Sequence, residues 1–328
     1  MKILGIESSC DETAAAVYWD GKILSNVIAA QAIHEQFGGV VPELASRAHH
    51  KTIWKTVEQA LEEASAGMGQ IDAVAVANGP GLMGSLLVGL SFAKGLSVSY
   101  QKPLVGVNHI DAHMYANFIE HSEIYPFLAL IVSGGHTRLV YVQERFRHEV
   151  LGQTRDDAAG EAFDKIGKLL NLPYPAGPVL DKLSQKGDPD FYQFPRSMIN
   201  KGLDFSFSGL KTSVLYYIRE KGEEYIRENL SDICASVSAA ITDVLIAKVK
   251  RAAKQKRARN VLIAGGVSAN SMLRLKMNNL AAAQSYNLMI PSTQYCTDNA
   301  AMIAITGALK AESGRFDDLG LKPFARMD

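Results

Sequence analysis

Two histidines spaced four residues apart, His109 and His113, are the clearest chemical signal in this chain. On a helix, residues i and i+4 lie on the same face, so both imidazoles can reach one ion. A divalent metal needs a third ligand, commonly a carboxylate, and the candidate is Asp298, in a polar turn before an Ala-rich apolar stretch. The spacing alone leaves a simpler interpretation open, in which the histidines lie on a polar helix face and Asp298 caps a helix.

Three turns rich in glycine or small polar residues follow predicted strands and could bind phosphate. They are residues 8–12, 133–137 and 265–270. Glycine lets backbone amides approach a phosphate closely, and a helix N-terminus favours an anion. Gly-Gly is also ordinary turn chemistry, and none of the turns matches a Walker loop or the GxGxxG fingerprint. Their recurrence over two similar halves favours a nucleotide-type site without identifying the nucleotide.

The acidic segment 156–165 has a structural and a functional interpretation. Asp156 or Asp157 would suit the N-cap of the following helix, and Glu161 and Lys165 have the order of a favourable i,i+4 pair. Asp164 is different, because a carboxylate beside an apolar phenylalanine could accept hydrogen bonds from ribose hydroxyls.

The composition is that of an ordinary globular protein with balanced charge. Of 328 residues, 47% are hydrophobic and 21% charged, and 34 basic residues offset 34 acidic ones. A nucleic-acid substrate would therefore need a local patch or a partner's help. The segment 248–259, with seven basic residues, is the candidate patch, although a solvated helix face explains it more simply. Three scattered cysteines predict a reducing cytoplasm, and we expect neither a secretion signal nor a membrane span.

The order of predicted elements suggests a duplication. The first half begins with a three-strand meander and continues with alternating helices and strands. Its predicted elements are strands at 3–7, 13–19, 22–28, 71–77 and 104–107 and helices at 41–64 and 82–98. The same order begins again with paired strands at 127–132 and 137–142. Further strands are predicted at 261–264 and 288–291, and helices near 158–170, 210–220, 231–257, 268–282 and 298–313. We therefore expect duplicated α/β domains around a cleft, with 1–108 and 299–328 forming one lobe and 109–298 the other.

Six ordered motifs make the whole chain resemble a known family. They are GIESSCDET at 5–13, GGVVPELASR at 38–47, NHIDAH at 108–113, VSGGHT at 132–137, FSFSGLK at 205–211 and AGGVSAN at 264–270. The chain resembles the tRNA threonylcarbamoyladenosine transferases, the bacterial TsaD family, formerly described as O-sialoglycoprotein endopeptidases. The motifs are long, and the resemblance extends over essentially the full length.

The resemblance implies an actin-like ATPase fold (the sugar kinase/heat-shock ATPase fold) with two ribonuclease-H-like domains around a cleft. It implies transfer of the threonylcarbamoyl group of threonylcarbamoyl-AMP to the adenine 3′ of the anticodon, in tRNAs that read codons beginning with A. It also implies a heterodimer with a smaller paralogue, TsaB, and work with the ATPase TsaE, in the cytoplasm. The helix at 81–96, rich in small residues, is the expected docking surface for the paralogue. Whether this chain itself binds ATP or ADP stays open.

The resemblance also implies the site residues. A metal, iron(II) with zinc(II) as the alternative, would be held by His109, His113 and Asp298. The acyl-adenylate would contact nine residues: Ile131, Val132, Ser133, Gly134, Gly135, Asp164, Gly177, Asp181 and Asn270. Among these, Ser133 and the two glycine amides would hold phosphate or carbamoyl oxygens, and Asp164, Asp181 and Asn270 would fix the nucleoside. Asp11 or Glu12 is the catalytic candidate, to take the amine proton or order water.

Other functions compete with this interpretation. A metalloprotease would explain the two histidines, but Ile110 and Asp111 follow His109 where an HExxH motif needs glutamate first. A small-molecule kinase of the same fold would explain the phosphate turns but not a centre of two histidines and an aspartate. A non-catalytic scaffold would need neither feature.

Overall fold

The computed structural model describes residues 1–37 and 39–326, with the backbone alone at Ala32 and Glu35. The chain forms two compact units, Met1–Ser122 with Thr297–Asp328, and Glu123–Cys296. Residues 109–122, 297 and 298, expected in the second lobe, belong to the first unit. Gly38 of the second motif and the last two residues of the C-terminal segment lie outside the described residues.

The first unit is built on a five-stranded sheet with the order β3-β2-β1-β4-β5. The strands are β1 (Lys2–Glu7), β2 (Glu12–Trp19), β3 (Lys22–Ala30), β4 (Ala73–Gly79) and β5 (Leu104–Asn108). The first three strands form the predicted antiparallel meander, and β4 and β5 continue the sheet parallel to β1. The carboxyl ends of β1, β4 and β5 therefore lie at one edge, where open α/β sheets place their sites.

Helices cover both faces of this sheet. They are α1 (Pro42–Glu63), α2 (Met83–Tyr100), the short α3 (His109–Tyr115) and the C-terminal helix (Ala300–Glu312). Alternate residues of β1 show the two faces, because side chains point alternately to opposite sides of a strand. Leu4 and Ile6 belong to the core shared with α1 and α2, whereas Gly5 lets the C-terminal helix approach at Ala300 and Ala304.

The second unit repeats the topology of the first, with the order β10-β9-β6-β7-β8. Its strands are β6 (Phe127–Val132), β7 (Thr137–Glu144), β8 (Arg147–Gln153), β9 (Asn260–Ala264) and β10 (Asn287–Met289). Again a meander of three strands is followed by two strands parallel to the first, β9 beside β6 and β10 beside β9. The predicted duplication is confirmed, with β8 as a strand that the sequence analysis did not include.

Six helices complete the second unit. They are α4 (Ala159–Leu169), α5 (Ala176–Ser184), α6 (Ser208–Lys221), α7 (Glu223–Glu228), α8 (Leu230–Lys256) and α9 (Ser271–Gln284). By length and composition α8 could cross a membrane, but 67% of its most apolar window is buried inside the protein, as in an ordinary core helix. Neither α5 nor α7 was predicted from the sequence.

Candidate metal centre and nucleotide site

Helix α3 places His109 and His113 on one buried face. The helix begins directly after β5, and the side chain of Asn108 caps it by accepting hydrogen bonds from the amides of Ile110 (2.9 Å) and Asp111 (3.2 Å). The two imidazole rings meet edge to face, with centroids 4.7 Å apart. His109 is 7% exposed and His113 1% exposed, which does not fit two histidines on a solvated polar face.

Asp298 lies beside both histidines. Its Oδ1 is 3.1 Å from Nε2 of His113 and 3.6 Å from Nε2 of His109, and one ligand atom from each of the three residues lies within 4.8 Å of the others. The N-cap of the C-terminal helix is Asn299, whose side chain accepts a hydrogen bond from the amide of Met302 at 3.0 Å. All three candidate ligands belong to the first unit.

Buried groups of β1 and the turn after it orient His109. Its Nδ1 is 3.0 Å from Oε2 of Glu7 and 3.0 Å from the hydroxyl of Ser9. If Nδ1–H is donated to Glu7, the lone pair of Nε2 is free on the side of Asp298, as in carboxylate–histidine–metal arrangements. Burial alone would lower the pKa of His109, but Asp298 and Glu7 raise it to about 9. The carboxylates of Asp298 and Glu7 therefore stabilise a positive charge at this position, and a bound cation would supply that charge.

The ring of His113 tests whether these residues suit a metal. Within the described part of the chain, neither Nδ1 nor Nε2 of this buried ring makes a hydrogen bond, although Nε2 lies near Asp298. A buried polar atom without a partner costs about 1–3 kcal/mol and needs an explanation. A cation held by His109, His113 and Asp298 would supply the missing partner of Nε2. Two imidazoles and a carboxylate are a ligand set of both zinc and non-haem iron sites, so the residues fit the implied metal.

The turn between β1 and β2 carries the predicted catalytic residues Asp11 and Glu12. Burial, together with the charges of Asp298 and Asp11, raises the pKa of Glu12 to about 9. A neighbouring cation would act in the opposite sense and favour the carboxylate. Burial also raises the pKa of the Cys10 thiol, so this cysteine is not a reactive thiolate.

In the second unit, two glycine-rich turns begin side by side. They follow the parallel neighbours β6 and β9, whose carboxyl ends share one edge of the sheet. In the first turn the amide of Ser133 donates to the carbonyl of His136 (2.8 Å), and its hydroxyl accepts from the amide of His136 (3.1 Å). Among the described atoms, none outside the neighbouring residues lies within 4 Å of a Cβ built on Gly134 or Gly135. The turn is therefore closed on itself and leaves space beside both glycines.

The strand that leads into this turn contributes through its backbone. The side chains of Ile131 and Val132 are fully buried in β6. Gly265 has a φ of +88°, and a Cβ there would clash with the carbonyl oxygen of Val132. Glycine is therefore required at Gly265 both for the backbone conformation and for the close packing of the two turns.

The predicted nucleoside residues form two local pairs. Asp181 accepts hydrogen bonds from Nδ2 of Asn270 (2.9 Å) and from the hydroxyl of Ser271 (2.7 Å), while Oδ1 of Asn270 caps α9. Asp164 accepts hydrogen bonds from the amides of Ala176 (2.9 Å) and Gly177 (3.1 Å) at the start of α5. Burial raises the pKa of Asp164 against the effect of these amides.

Sequence reasoning missed the residues that support these groups. Ser271, Glu7, Ser9 and His49 all make hydrogen bonds to predicted site residues or to the turn that carries them. Ser271 directly follows the AGGVSAN motif, and Glu7 and Ser9 lie inside GIESSCDET. The position of these three residues in or beside the motifs could have marked them as functional. Their hydrogen-bond partners could not be predicted, because the partners lie far away along the chain.

The capping role assigned to Asp156 is wrong for α4. The residue before α4 is Ala158, and the first amide of the helix, that of Ala159, donates to the hydroxyl of Thr137 at 2.8 Å. Asp156 instead accepts hydrogen bonds at the start of α6, from the amide of Phe207 (2.8 Å) and the hydroxyls of Ser206 (2.6 Å) and Ser208 (2.9 Å). The predicted pair of Glu161 and Lys165 is present at 2.8 Å, and Asp157 also contacts Lys165, at 2.6 Å.

The basic segment 248–259 is only partly a solvated face. Lys248 is fully buried, and its ammonium donates to the carbonyls of Met198 (2.6 Å), Lys201 and Gly202 (3.0 Å). Arg251 donates to the carbonyl of the same glycine at 2.6 Å. These two cations hold a loop of the second unit, which removes them from the candidate patch for an anionic partner.

Comparison with known proteins relates the chain to one group of enzymes. A family model described as "TsaD: tRNA N6-adenosine threonylcarbamoyltransferase" matches residues 22–305. Curated proteins of that name from Riemerella anatipestifer and Salinibacter ruber are 50% and 52% identical to the chain. The alignments cover 99% and 96% of this chain and 97% and 96% of the two relatives.

Solved structures with low sequence identity show the fold. HypF from T. kodakarensis matches with a TM-score of 0.64 at 15% identity, over 95% of this chain and 48% of that chain. Component A of the (R)-2-hydroxyglutaryl-CoA dehydratase of Acidaminococcus fermentans matches with a TM-score of 0.57 at 14% identity, over 96% and 99%. The ROK hexokinase of Thermus thermophilus matches with a TM-score of 0.52 at 15% identity, over 96% of this chain and 100% of that chain. The predicted actin-like ATPase fold is confirmed.

Proposed function

The chain belongs to the family of tRNA N6-adenosine threonylcarbamoyltransferases, and we therefore propose that threonylcarbamoyl-AMP is its donor. The proposed acceptor is the adenine 3′ of the anticodon in tRNAs that read codons beginning with A. The family membership makes the chain an acyltransferase that acts on tRNA. Neither rival enzyme class is proposed, since the likeness to a hexokinase concerns the fold alone and the histidine pair lacks the glutamate of a metalloprotease.

The observation that carries the site assignment is the buried group of His109, His113 and Asp298. We propose that it holds one divalent metal, iron(II) or zinc(II), and that Glu7 and Ser9 hold the His109 ring in the ligating orientation. When bound, such an ion acts as a Lewis acid that polarises an acyl oxygen or neutralises a phosphate. Neither ring nitrogen of His113 makes a hydrogen bond within the described residues, and this supports the assignment.

The adenine amine is a weak nucleophile, so the reaction depends on an activated donor held in the correct orientation. N6 forms a bond to the carbamoyl carbon, the bond from that carbon to the phosphate oxygen breaks, and AMP leaves with the electron pair. The hydroxyl of Ser133 and the amides of Gly134 and Gly135 are proposed to bind phosphate or carbamoyl oxygens, supported by the open space beside both glycines. Backbone groups of Ile131 and Val132 would line the same turn.

The nucleoside part of the donor would be fixed by the two local pairs of the second unit. The side chains of Asp181 and Asn270 hold each other and the start of α9. Asp164 holds the amide of Gly177 at the start of α5. Carboxylate oxygens held in this way keep lone pairs available for ribose hydroxyls, which supports the proposed contacts.

The proton of the attacking amine is assigned to Glu12 or Asp11. Glu12 is the better supported, because its raised pKa brings it near the range of a general base once a cation offsets the charges of Asp298 and Asp11. In the resting, metal-free state the same residue would be protonated and unable to accept a proton. The ion and the base are therefore proposed to be coupled through charge.

A heterodimer with a smaller paralogue is proposed to use the surface of α2. Met83, Leu87, Val98 and Tyr100 of this helix are between 42% and 59% exposed, so α2 offers apolar surface to a partner. We further propose a TsaE-like ATPase as a partner and the cytoplasm as the location. The neutral net charge of the chain supports a shared tRNA surface, since one chain alone has no basic excess.

The test is reconstitution of the chain with the acyl-adenylate donor, the two partner proteins and unmodified tRNA. Mass analysis of the nucleosides should show threonylcarbamoyladenosine, and the product should disappear for tRNAs whose codons do not begin with A. His113→Ala should lose both bound metal and product. Full product formation by a metal-free preparation would contradict the metal role, and no product with any tRNA would contradict the proposed donor and acceptor.

A further inference from the structure

The turn that carries Asp11 and Glu12 is held at both ends by one imidazole. His49, on α1, is fully buried. Its Nε2 lies 3.0 Å from the carbonyl oxygen of Cys10, and its Nδ1 lies 2.7 Å from the hydroxyl of Thr13. Cys10 and Thr13 directly flank the two acidic residues. From this geometry we infer that His49 is a positioning residue for the reaction, which sets the placement of the Asp11–Glu12 carboxylates.

The hydrogen bonds determine the protonation of this ring. A carbonyl oxygen only accepts, so Nε2 of His49 must carry a hydrogen and donate it to Cys10. Burial lowers the pKa of His49, which favours the neutral ring. In the neutral ring Nδ1 is then an acceptor, and the hydroxyl of Thr13 donates to it. The hydroxyl of Thr52 lies 3.0 Å from the same oxygen, on the next turn of α1, and donates to the carbonyl of Ala48 at 2.9 Å.

The other side of the same turn is held by different elements. The carbonyl of Ser9 accepts from the amide of Leu82 (2.7 Å), and the hydroxyl of Ser8 donates to the carbonyl of Ser85 (3.0 Å) at the start of α2. These contacts hold the residues before Cys10. His49 therefore supplies the side-chain hydrogen bonds on both sides of the Asp11–Glu12 pair, in addition to the strand pairing of Glu12 with Ala30 of β3, and no contact of Ser8 or Ser9 replaces them.

The consequence for the reaction is specific. The two ring nitrogens of His49 bond to Cys10 and Thr13 and not to the ligands His109, His113 and Asp298, so removal of its ring should leave the metal bound. A displaced carboxylate should instead slow the chemical step, on the order of tenfold to a hundredfold for a shift of about 1 Å. The effect should appear in kcat, because neither tRNA nor donor is proposed to touch His49.

Three variants test this inference, which rests on the proposed role of the Asp11–Glu12 turn. His49→Ala removes both hydrogen bonds and should lower kcat at least about tenfold, with unchanged KM for tRNA and unchanged metal content. His49→Gln keeps a donor near the position of Nε2 and should recover much of the loss. Thr13→Val removes only the hydroxyl and should give a smaller loss of kcat. His50→Ala, at the next and exposed position of the same helix, is the matched control and should behave as the wild type.

The outcomes separate a positioning role from a structural one. A normal kcat for His49→Ala overturns the inference, and so does a loss that follows metal content or the folded fraction and is not relieved by glutamine. The wild-type protein and Glu12→Gln are assayed in parallel. An inactive wild type contradicts the proposed function itself, and a fully active Glu12→Gln contradicts the role of Glu12, so neither failure is confused with a failure of His49.

Discussion

Replacement of Glu7 by glutamine should weaken metal binding although Glu7 is not itself a ligand. In the wild type, Oε1 accepts a hydrogen bond from the amide of Ser9 at 2.5 Å, while Oε2 lies 3.0 Å from Nδ1 of His109. Both positions require an acceptor if His109 binds a metal through Nε2. Glutamine has one acceptor and one donor. Its oxygen should stay on the amide of Ser9, so its NH2 group would face His109 and favour the tautomer in which Nε2 carries a hydrogen.

The magnitude follows from the remaining contacts. Loss of a group that orients a ligand typically costs 10- to 100-fold in metal affinity, which is about 1.4–2.8 kcal/mol. The hydroxyl of Ser9 is also 3.0 Å from Nδ1 of His109 and can accept its hydrogen when Glu7 cannot. We therefore expect about tenfold for Glu7→Gln alone. Ser9→Ala, which leaves the carboxylate in place, should have a smaller effect.

The assay is a competitive titration of the metal-free protein with zinc(II) or iron(II) and a chromophoric chelator. Melting curves of the metal-free variants control for a general loss of structure, because Glu7 is fully buried. The combined change Glu7→Gln and Ser9→Ala should cost more than the sum of the two single changes, since no acceptor then remains for Nδ1. Wild-type affinity in Glu7→Gln would refute the reasoning about the tautomer.

Three further predictions concern stability and the centre. Lys248→Met should lower the free energy of unfolding by about 3 kcal/mol, because it leaves buried carbonyls without a donor. Urea denaturation measures this, and the exposed Lys250→Met should change stability by less than about 0.5 kcal/mol. Asp156→Ala should cost about 1–2 kcal/mol as the loss of a helix cap. Burial acts to raise the pKa of Asp156, but hydrogen bonds from residues 206–208 lower it below the ordinary 3.8, so this contribution is complete above pH 3.8 and is lost at lower pH. Equal effects of Asp156→Ala at neutral and strongly acidic pH would contradict this. His113→Ala should abolish metal binding, as metal analysis would show. Melting of the metal-free protein should show less destabilisation than a buried truncation usually gives, since neither ring nitrogen makes a hydrogen bond to the described residues that the change would break. Retained stoichiometric metal would exclude His113 as a ligand.

Periodicity explains which parts of the fold could be predicted. In the meander of β1, β2 and β3, apolar residues either alternate with polar ones or form continuous runs, and clear polar turns separate the strands. The predicted bounds of these strands agree with the structure to within about two residues. Strand β8 escaped prediction because it lies at the sheet edge and most of its side chains are partly or fully exposed, so it has no apolar face to detect. Helix α5 escaped because it is short and begins with small residues and a proline.

The same distinction applies to the candidate site. The pairing of His109 with His113 follows from helical spacing, which acts between neighbours in the chain. The role of Asp156 was assigned to the wrong helix because a cap needs only a nearby amide, and a loop from residue 206 supplied closer ones. Local rules describe the nearest partner in sequence, whereas hydrogen bonds form with the nearest partner in space.

The sequence by itself determined the family, the duplicated strand order and the four-residue spacing of the two histidines, since each is a pattern of residues close together along the chain. The sequence also offered Asp298 as a candidate third ligand, but only the tertiary structure placed its carboxylate beside those histidines. Only the tertiary structure decided that Glu7 orients one of them and that His49 holds the turn with Glu12. These contacts depend on the order of β1, β4 and β5 in one sheet and on the C-terminal helix returning to it. Spacing in the sequence cannot express that order, because parallel strands bring distant residues to one edge without any local signal.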